Sequence, residues 1–240
     1  MLSYQHAYHA GGPADVHKHI ALARILRALT AKPRGLTYME THSGRGLYNL
    51  NSVESLKTGE AAEGIAIADL GDEPFAETLS LVRDLNGPNA YPGSPWLAAS
   101  MLREQDSMHL MELHPAEHAG LCEVLPGADI HRRDGYEGVT ALSPPDPRAG
   151  LLLVDPSYEV KTEYAQAGAF VRNLMRTEWP EACALVWYPI LRAGRHAELL
   201  AEMAPLSPVV HEVRFDLKGG TGMLGSGLAA VNLPRGVELG

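Results

Sequence analysis

Two cysteines in 240 residues, Cys122 and Cys183, leave no disulfide framework and no paired thiolate spacing for a metal. A reducing compartment suits such a chain. Long apolar runs are missing as well: no stretch approaches the ~20 residues of a membrane span, and the opening MLSYQHAYHA lacks the charged start and apolar core of a secretory signal. The expectation is a cytoplasmic protein. Positive charge is scarce, 20 Lys and Arg against 29 Asp and Glu for a formal net charge of −9, which argues against a broad nucleic-acid-binding surface. Repeats and low-complexity tracts are absent, while 45% hydrophobic and 20% charged residues are the proportions of an ordinary folded domain. One α/β domain over residues 1–240 is expected, with room for an insertion.

The cations present are unevenly spread. Residues 1–35 hold five of them (Lys18, Arg24, Arg27, Lys32, Arg34) against the single acid Asp15, a balance of +4, whereas the other 205 residues balance at −13. A basic amino end that also carries His6, His9, His17 and His19 can meet a polyanion locally, although charge alone favours a plain solvated helix face.

The most informative stretch is LLLVDPSYE, Leu151 to Glu159. Four apolar residues between Gly150 and Pro156 read as a fully buried strand of a parallel sheet. Ligands collect at the carboxyl ends of such strands, which puts Asp155, Pro156, Ser157 and Tyr158 where chemistry is done. The residue types suit methyl transfer to a planar amine, with a carboxylate and a backbone carbonyl accepting the amine hydrogens and an aromatic ring beside the base. A strand-ending Asp-Pro turn is an even alternative on this stretch alone.

In chain order, residues 1–12 read as an arm. Asp15 is expected to cap a helix from Val16 to Leu29, with Val16, Ile20, Ala23 and Leu26 as its apolar stripe and Pro33 and Gly35 beyond its end. Leu36–Thr41 is the first strand, and Gly44 and Gly46 follow it, allowing backbone to approach a nucleotide-like cofactor. A dinucleotide fingerprint wants a third glycine where Asn49 stands, which weakens an NAD reading. Residues 51–95 are expected as a mostly helical insertion, its helix Glu73–Leu85 burying Phe75, Leu79 and Val82. Ser94 is expected to cap a helix from Trp96 to Arg103 that carries Ser100. The strand Ser107–Leu113 brings Glu112 near its end, where an acid commonly takes ribose hydroxyls. His109, His114 and His118 match no zinc spacing, so surface or cap roles are preferred to a metal site. After a helix Pro115–Leu125 and a strand Ala128–His131, Asp134-Gly135 is either an adenine-amine acceptor or a plain turn. A helix Thr162–Arg176, a strand Ala184–Pro189 and a helix Gly194–Met203 come next. Val209–Leu217 reads as an antiparallel strand near the sheet edge, Gly219–Gly227 as a glycine-rich loop, and LAAVNLP as the last strand.

Together MLSYQHAYHAGGPADVHKH, THSGRGLY, YPGSPWLAASMLREQDS, ELHP, the Asp134-Gly135 pair, LLLVDPSYEVKTEY, LVWYPI and GMLGSGLAAVN span nearly the whole chain. This set resembles the RlmJ (YhiR) family of class I, S-adenosylmethionine-dependent 23S ribosomal RNA adenine-N6 methyltransferases. The resemblance implies a Rossmann-like α/β fold: a mostly parallel seven-stranded sheet with helices on both faces and a small helical insertion. It implies cofactor contacts at His19, His42, Ser100, Glu112, Asp134 and Gly135, with Lys18 adjoining and Gly44, Gly46 and Asp155 in reach. It further implies catalytic roles for Asp155, Pro156 and Tyr158, and Tyr4 near the target adenosine. The expected partner is 23S ribosomal RNA free of ribosomal proteins, met by a monomer, with no metal. Ser157 stands where the family has a second proline, Glu40 where it has aspartate, and Asn232-Leu233-Pro234 where it has Asn-Pro-Pro. Gly240 also falls short of the family's usual carboxyl-terminal tail. A DNA adenine methyltransferase, an NAD-dependent oxidoreductase and a non-catalytic RNA-binding protein are the competing readings.

Overall fold

The computed structural model describes residues 5–215 and 222–240. After a short 3-10 turn at His6–Tyr8, α1 runs over Pro13–Thr30, capped by Gly12 and not by Asp15. Proline in the first turn gives up no hydrogen bond, since its missing N–H would have no helical partner. Asp15 is drawn inside because donors surround it: His6 Nε2 at 2.8 Å, the Gly11 amide at 3.1 Å and Lys18 Nζ at 3.1 Å.

Next come β1 (Thr37–Glu40), β2 (Leu47–Asn49), α2 (Val53–Thr58), α3 (Glu60–Glu63), α4 (Pro74–Asn86), β3 (Ala90–Pro92) and α5 (Ser94–Met101). The block expected as helical insertion therefore also holds β3, which pairs antiparallel with β2. Phe75, Leu79 and Val82 of α4 are buried in the core. The cap of α5 is Gly93; Ser94 already lies inside the helix and sends its hydroxyl elsewhere. The chain continues with β4 (Ser107–Met111), α6 (Pro115–Val124), β5 (Asp129–His131), α7 (Gly135–Leu142), β6 (Gly150–Val154), α8 (Glu163–Thr177), β7 (Cys183–Leu191), α9 (His196–Met203), β8 (Val209–Arg214) and β9 (Met223–Val231). Sequence reasoning did not foresee α7. It also ended the glycine-rich segment too late: residues 216–221 lie outside the described region, but Met223–Gly227 already belong to β9. Glycine is required there, since a Cβ on Gly225 would sit 2.2 Å from the Val213 carbonyl and one on Gly227 2.0 Å from the Tyr188 ring.

The seven main strands lie in the order β5-β4-β1-β6-β7-β9-β8. The five from β5 to β7 pair parallel, β9 runs antiparallel to β7, and β8 forms the edge. This is the Rossmann-like methyltransferase sheet implied by the resemblance. Period-2 alternation sorts its side chains: Leu151 and Leu153 of β6 face α1, α4 and α5, while Leu152 and Val154 face α7, α8 and α9. All four are fully buried, as a central strand covered on both faces must be. Leu152→Ala should therefore open a cavity and cost about 2–5 kcal/mol, read as a lowered denaturant midpoint at an unchanged slope.

Candidate active site

The carboxyl ends of β4, β1 and β6, adjacent at the centre of the sheet, deliver Glu112, the loop His42–Gly46 and Asp155 to one place. They open onto a cavity of about 260 Å³, whose lining includes six of the residues expected to hold a cofactor: Lys18, His19, His42, Gly44, Glu112 and Asp155. Gly44 has φ +61°, and a Cβ there would meet the Tyr48 hydroxyl at 2.5 Å. Its amide donates to Glu112 Oε2 at 2.7 Å, and the His114 amide donates to Glu112 Oε1 at 2.7 Å. Burial raises the Glu112 carboxyl from its ordinary value despite these two amides. Each oxygen keeps a lone pair for a ligand hydroxyl.

Three expected residues stand behind the cavity wall. The Gly46 carbonyl accepts from the Gly93 amide at 2.8 Å and ties the glycine loop to the start of α5. Asp134 caps α7, with Oδ1 accepting from the Tyr136 and Glu137 amides at 3.0 Å each. Gly135 lets α7 close on the loop after β1, for a Cβ would lie 2.0 Å from the Thr41 carbonyl. Ser100 is further away: it is exposed on α5, donates to the Leu97 carbonyl at 2.8 Å and meets Thr78 Oγ1 at 3.1 Å. The serine of α5 that lines the cavity is Ser94, six residues earlier. The Gly93-Ser94-Pro95 helix start was the available signal, and reading Ser94 as a cap obscured it.

Electrostatics concentrate on α1. Lys18, 3% exposed, places Nζ 2.5 Å from Asp155 Oδ2 and 3.1 Å from Asp15 Oδ1. Burial alone would lower the Lys18 ammonium, but the charges of Asp155 and Asp15 outweigh it and hold the group above its ordinary value. Asp15, despite burial, is held well below the usual carboxylate range by His6 and Lys18. Burial drives His19 down to about 3 and lowers His42, so both rings are neutral near pH 7. His19 Nδ1 meets the Tyr91 hydroxyl at 2.9 Å. Behind Asp155, burial raises Glu40 to about 8, against the opposing pull of the Ser94 and Tyr38 hydroxyls at 2.5 and 2.9 Å.

A second cavity, about 170 Å³, lies toward β7 and β9 and is bordered by Tyr158 and Trp187. Lys18, Asp155, Ser157 and His6 line both cavities, so Asp155 stands at their junction. Tyr158 is not the open stacking face that sequence reasoning expected. It is 6% exposed, with its ring 4.5 Å from that of Tyr164 and its hydroxyl donating to the Trp187 carbonyl at 2.6 Å. These contacts hold a bulky residue at φ +55°, a left-handed conformation that costs of order 1–3 kcal/mol. Tyr4 lies outside the described residues.

The basic amino end is largely spent within the protein. Arg24 pairs with Glu73 at 2.5 Å and Arg27 with Glu77 at 2.6 Å, both acids on or beside α4, while Lys18 is buried. A phosphate-binding role for this helix face does not follow. Among the described residues no group of three or more His, Cys, Asp or Glu is placed to hold a metal, and His114 serves as the cap of α6.

Residues 33–239 match the family described as ribosomal RNA large subunit methyltransferase D, RlmJ. The chain belongs to the RlmJ family. It is 33% identical to the ribosomal RNA large subunit methyltransferase J of Escherichia coli and 35% identical to that of Haemophilus influenzae, in each case over 99% of this chain and 89% of the relative. A solved Legionella pneumophila protein, LPL1258, superposes with a TM-score of 0.81 at 35% identity, covering 94% of this chain and 87% of that one. As an RlmJ-family member the chain is an S-adenosylmethionine-dependent ribosomal RNA methyltransferase. The larger cavity fits that cofactor. His19 Nε2 and Ser43 Oγ are buried without a protein partner in its lining, and the Glu112 carboxylate faces it where ribose hydroxyls can donate. No helix is long and apolar enough to cross a membrane among the described residues.

Glu40 generates a pH prediction. Its folded pKa of about 8 lies above the model-peptide value of 4.5, so the stability tied to its neutral form is full below ~4.5 and is lost as pH rises through 8. Glu40→Gln should be relatively more stable at pH 8 than at pH 5 when compared with the parent in urea titrations.

Proposed function

We propose that this RlmJ-family enzyme transfers a methyl group to the exocyclic N6 amine of an adenosine in 23S ribosomal RNA, with Asp155 and Pro156 positioning the amine. The observation that supports this reading is the junction at Asp155: one cavity suited to the cofactor and a second walled by Tyr158 and Trp187 share this carboxylate. An adenine amine is a poor nucleophile because its lone pair is delocalised into the ring. Hydrogen bonds from its two hydrogens to Asp155 Oδ1 and the Pro156 carbonyl favour a pyramidal nitrogen with an aimed lone pair. Lys18 engages Oδ2, which leaves Oδ1 for the amine and holds the carboxylate oriented. The cofactor supplies the methyl group on a sulfonium and would be left as a neutral thioether, while the methylated amine, a strong acid, releases one hydrogen as a proton to solvent. The work of the protein is therefore positioning and electrostatics, with no covalent intermediate on a side chain.

To reach the amine the base must leave its stack, and the second cavity, walled by Tyr158 and Trp187, receives it. Ser157 in place of the family's proline leaves this loop one ring less rigid. Residues 51–95, mostly helical but holding β3, act as a subdomain inside a single methyltransferase domain, and the enzyme works in the cytoplasm as a monomer on RNA free of ribosomal proteins.

Asp155→Asn keeps size and shape but replaces one acceptor by a donor and removes the charge facing Lys18. Single-turnover methylation of a ribosomal RNA hairpin should slow by at least ~100-fold, while calorimetry gives an S-adenosylmethionine affinity within a few-fold of the parent. A near-parental rate removes Asp155 from the mechanism.

A further inference from the structure

α1 carries a further buried polar residue immediately before Lys18. His17 is 8% exposed, its Nδ1 lies 2.9 Å from Ser226 Oγ, and its Nε2 lies 2.9 Å from His211 Nδ1. Ser226 is fully buried and also receives the Trp187 indole N–H at 2.8 Å. Strand register explains the meeting. Trp187, Leu228 and His211 stand side by side on β7, β9 and β8, and alternation puts Ser226, two residues before Leu228, on the same face. α1 packs across that face.

One end of the chain has a fixed direction. An indole N–H only donates, so Ser226 Oγ accepts from Trp187 and keeps one hydrogen and one lone pair, either of which serves the matching tautomer of His17 at Nδ1. A neutral His17 donates from one ring nitrogen and accepts at the other, so a single ring bridges Ser226 and His211. Burial first, and the facing His211 second, hold His17 down to about 4, which keeps it neutral at physiological pH. In either tautomer the His17 ring holds the Ser226 side chain in place, and the indole of Trp187 has a fixed acceptor.

Trp187 is where this matters. It walls the second cavity, its carbonyl accepts from the Tyr158 hydroxyl at 2.6 Å, and Lys18 Nζ lies 5.8 Å from its ring centroid. We propose that His17 is a positioning residue for methyl transfer: through Ser226 it holds Trp187 as the wall against which the target base is seated. The proposal rests on the reading of the second cavity as the base site. It separates His17 from the cofactor, which the other cavity takes.

Three variants test it in single-turnover methylation of a 23S ribosomal RNA hairpin at saturating S-adenosylmethionine, normalised to folded protein by the stoichiometry of cofactor calorimetry. His17→Leu keeps bulk and removes the hydrogen-bonding ring, Ser226→Ala removes the link from the other side, and His17→Asn returns a polar group near the position of Nδ1. The expected result is a rate lowered roughly tenfold or more in the first two, as small misplacements of a reacting group can bring, with cofactor affinity within about twofold of the parent. His17→Asn should recover at least about half of the rate, and the double variant should be no slower than the slower single one, as members of one chain are. Parental rates in folded His17→Leu or Ser226→Ala overturn the proposal, as do additive losses in the double variant or a matching loss of cofactor affinity. An inactive parent overturns the adenine reading and this proposal with it; an active parent with unaffected variants overturns this proposal alone.

Discussion

The ion pair between Lys18 and Asp155, closed to 2.5 Å beneath the protein surface, is the contact on which the arrangement of the site depends. Neither charge is tolerable there alone, since an unpaired buried ion carries a desolvation cost of several kcal/mol. Asp15 adds a second carboxylate to the same ammonium, and His6 and the Gly11 amide share the load on Asp15. The consequence is geometric: α1, which precedes the sheet in sequence, is pinned over the carboxyl end of β6, and the floor between the two cavities is set by this contact. An ammonium held charged and a carboxylate held in place are what a reaction run by positioning requires.

The rest of the sheet serves that junction. Three parallel strands end side by side so that a glycine loop, an acid and the Asp155 loop reach one cavity, and the reversed strand β9 supplies a wall to the other side. Glycines at 44, 135, 225 and 227 stand where a side chain would strike a neighbour, so backbone can close in. The strained Tyr158 belongs to the same economy of space. Its left-handed backbone turns the loop after Pro156 back toward β7, where the Trp187 carbonyl holds its hydroxyl.

Much of this was legible in the chain. LLLV reads as a doubly buried strand because four apolar residues between glycine and proline leave little else, and the glycines after the first strand and Glu112 after β4 follow from where ligands sit on such sheets. What escaped was set by tertiary contact. Asp15 and Ser94 have the residue types of helix caps, but each found a buried partner that outcompeted the cap: Lys18 and His6 for one, Glu40 for the other. The resemblance implies Ser100 at the cofactor, yet six residues of rotation and rise beyond Ser94 carry it to the α4 side, against Thr78. The arginines of α1 read as a solvated helix face with a polyanion as the rival, and their ion pairs were not foreseen because the acids that meet Arg24 and Arg27 are about fifty residues away in sequence. Tyr158 carried no local sign of positive φ, since only glycine and asparagine advertise it.

Methyl transfer here depends on a base amine meeting Asp155 at the junction of the two cavities. Nucleoside mass spectrometry of 23S ribosomal RNA, after incubation of protein-free RNA with the enzyme and isotopically labelled S-adenosylmethionine, tests this most directly. The account requires the label in N6-methyladenosine. Label in another nucleoside, or in none while the cofactor still binds, contradicts it.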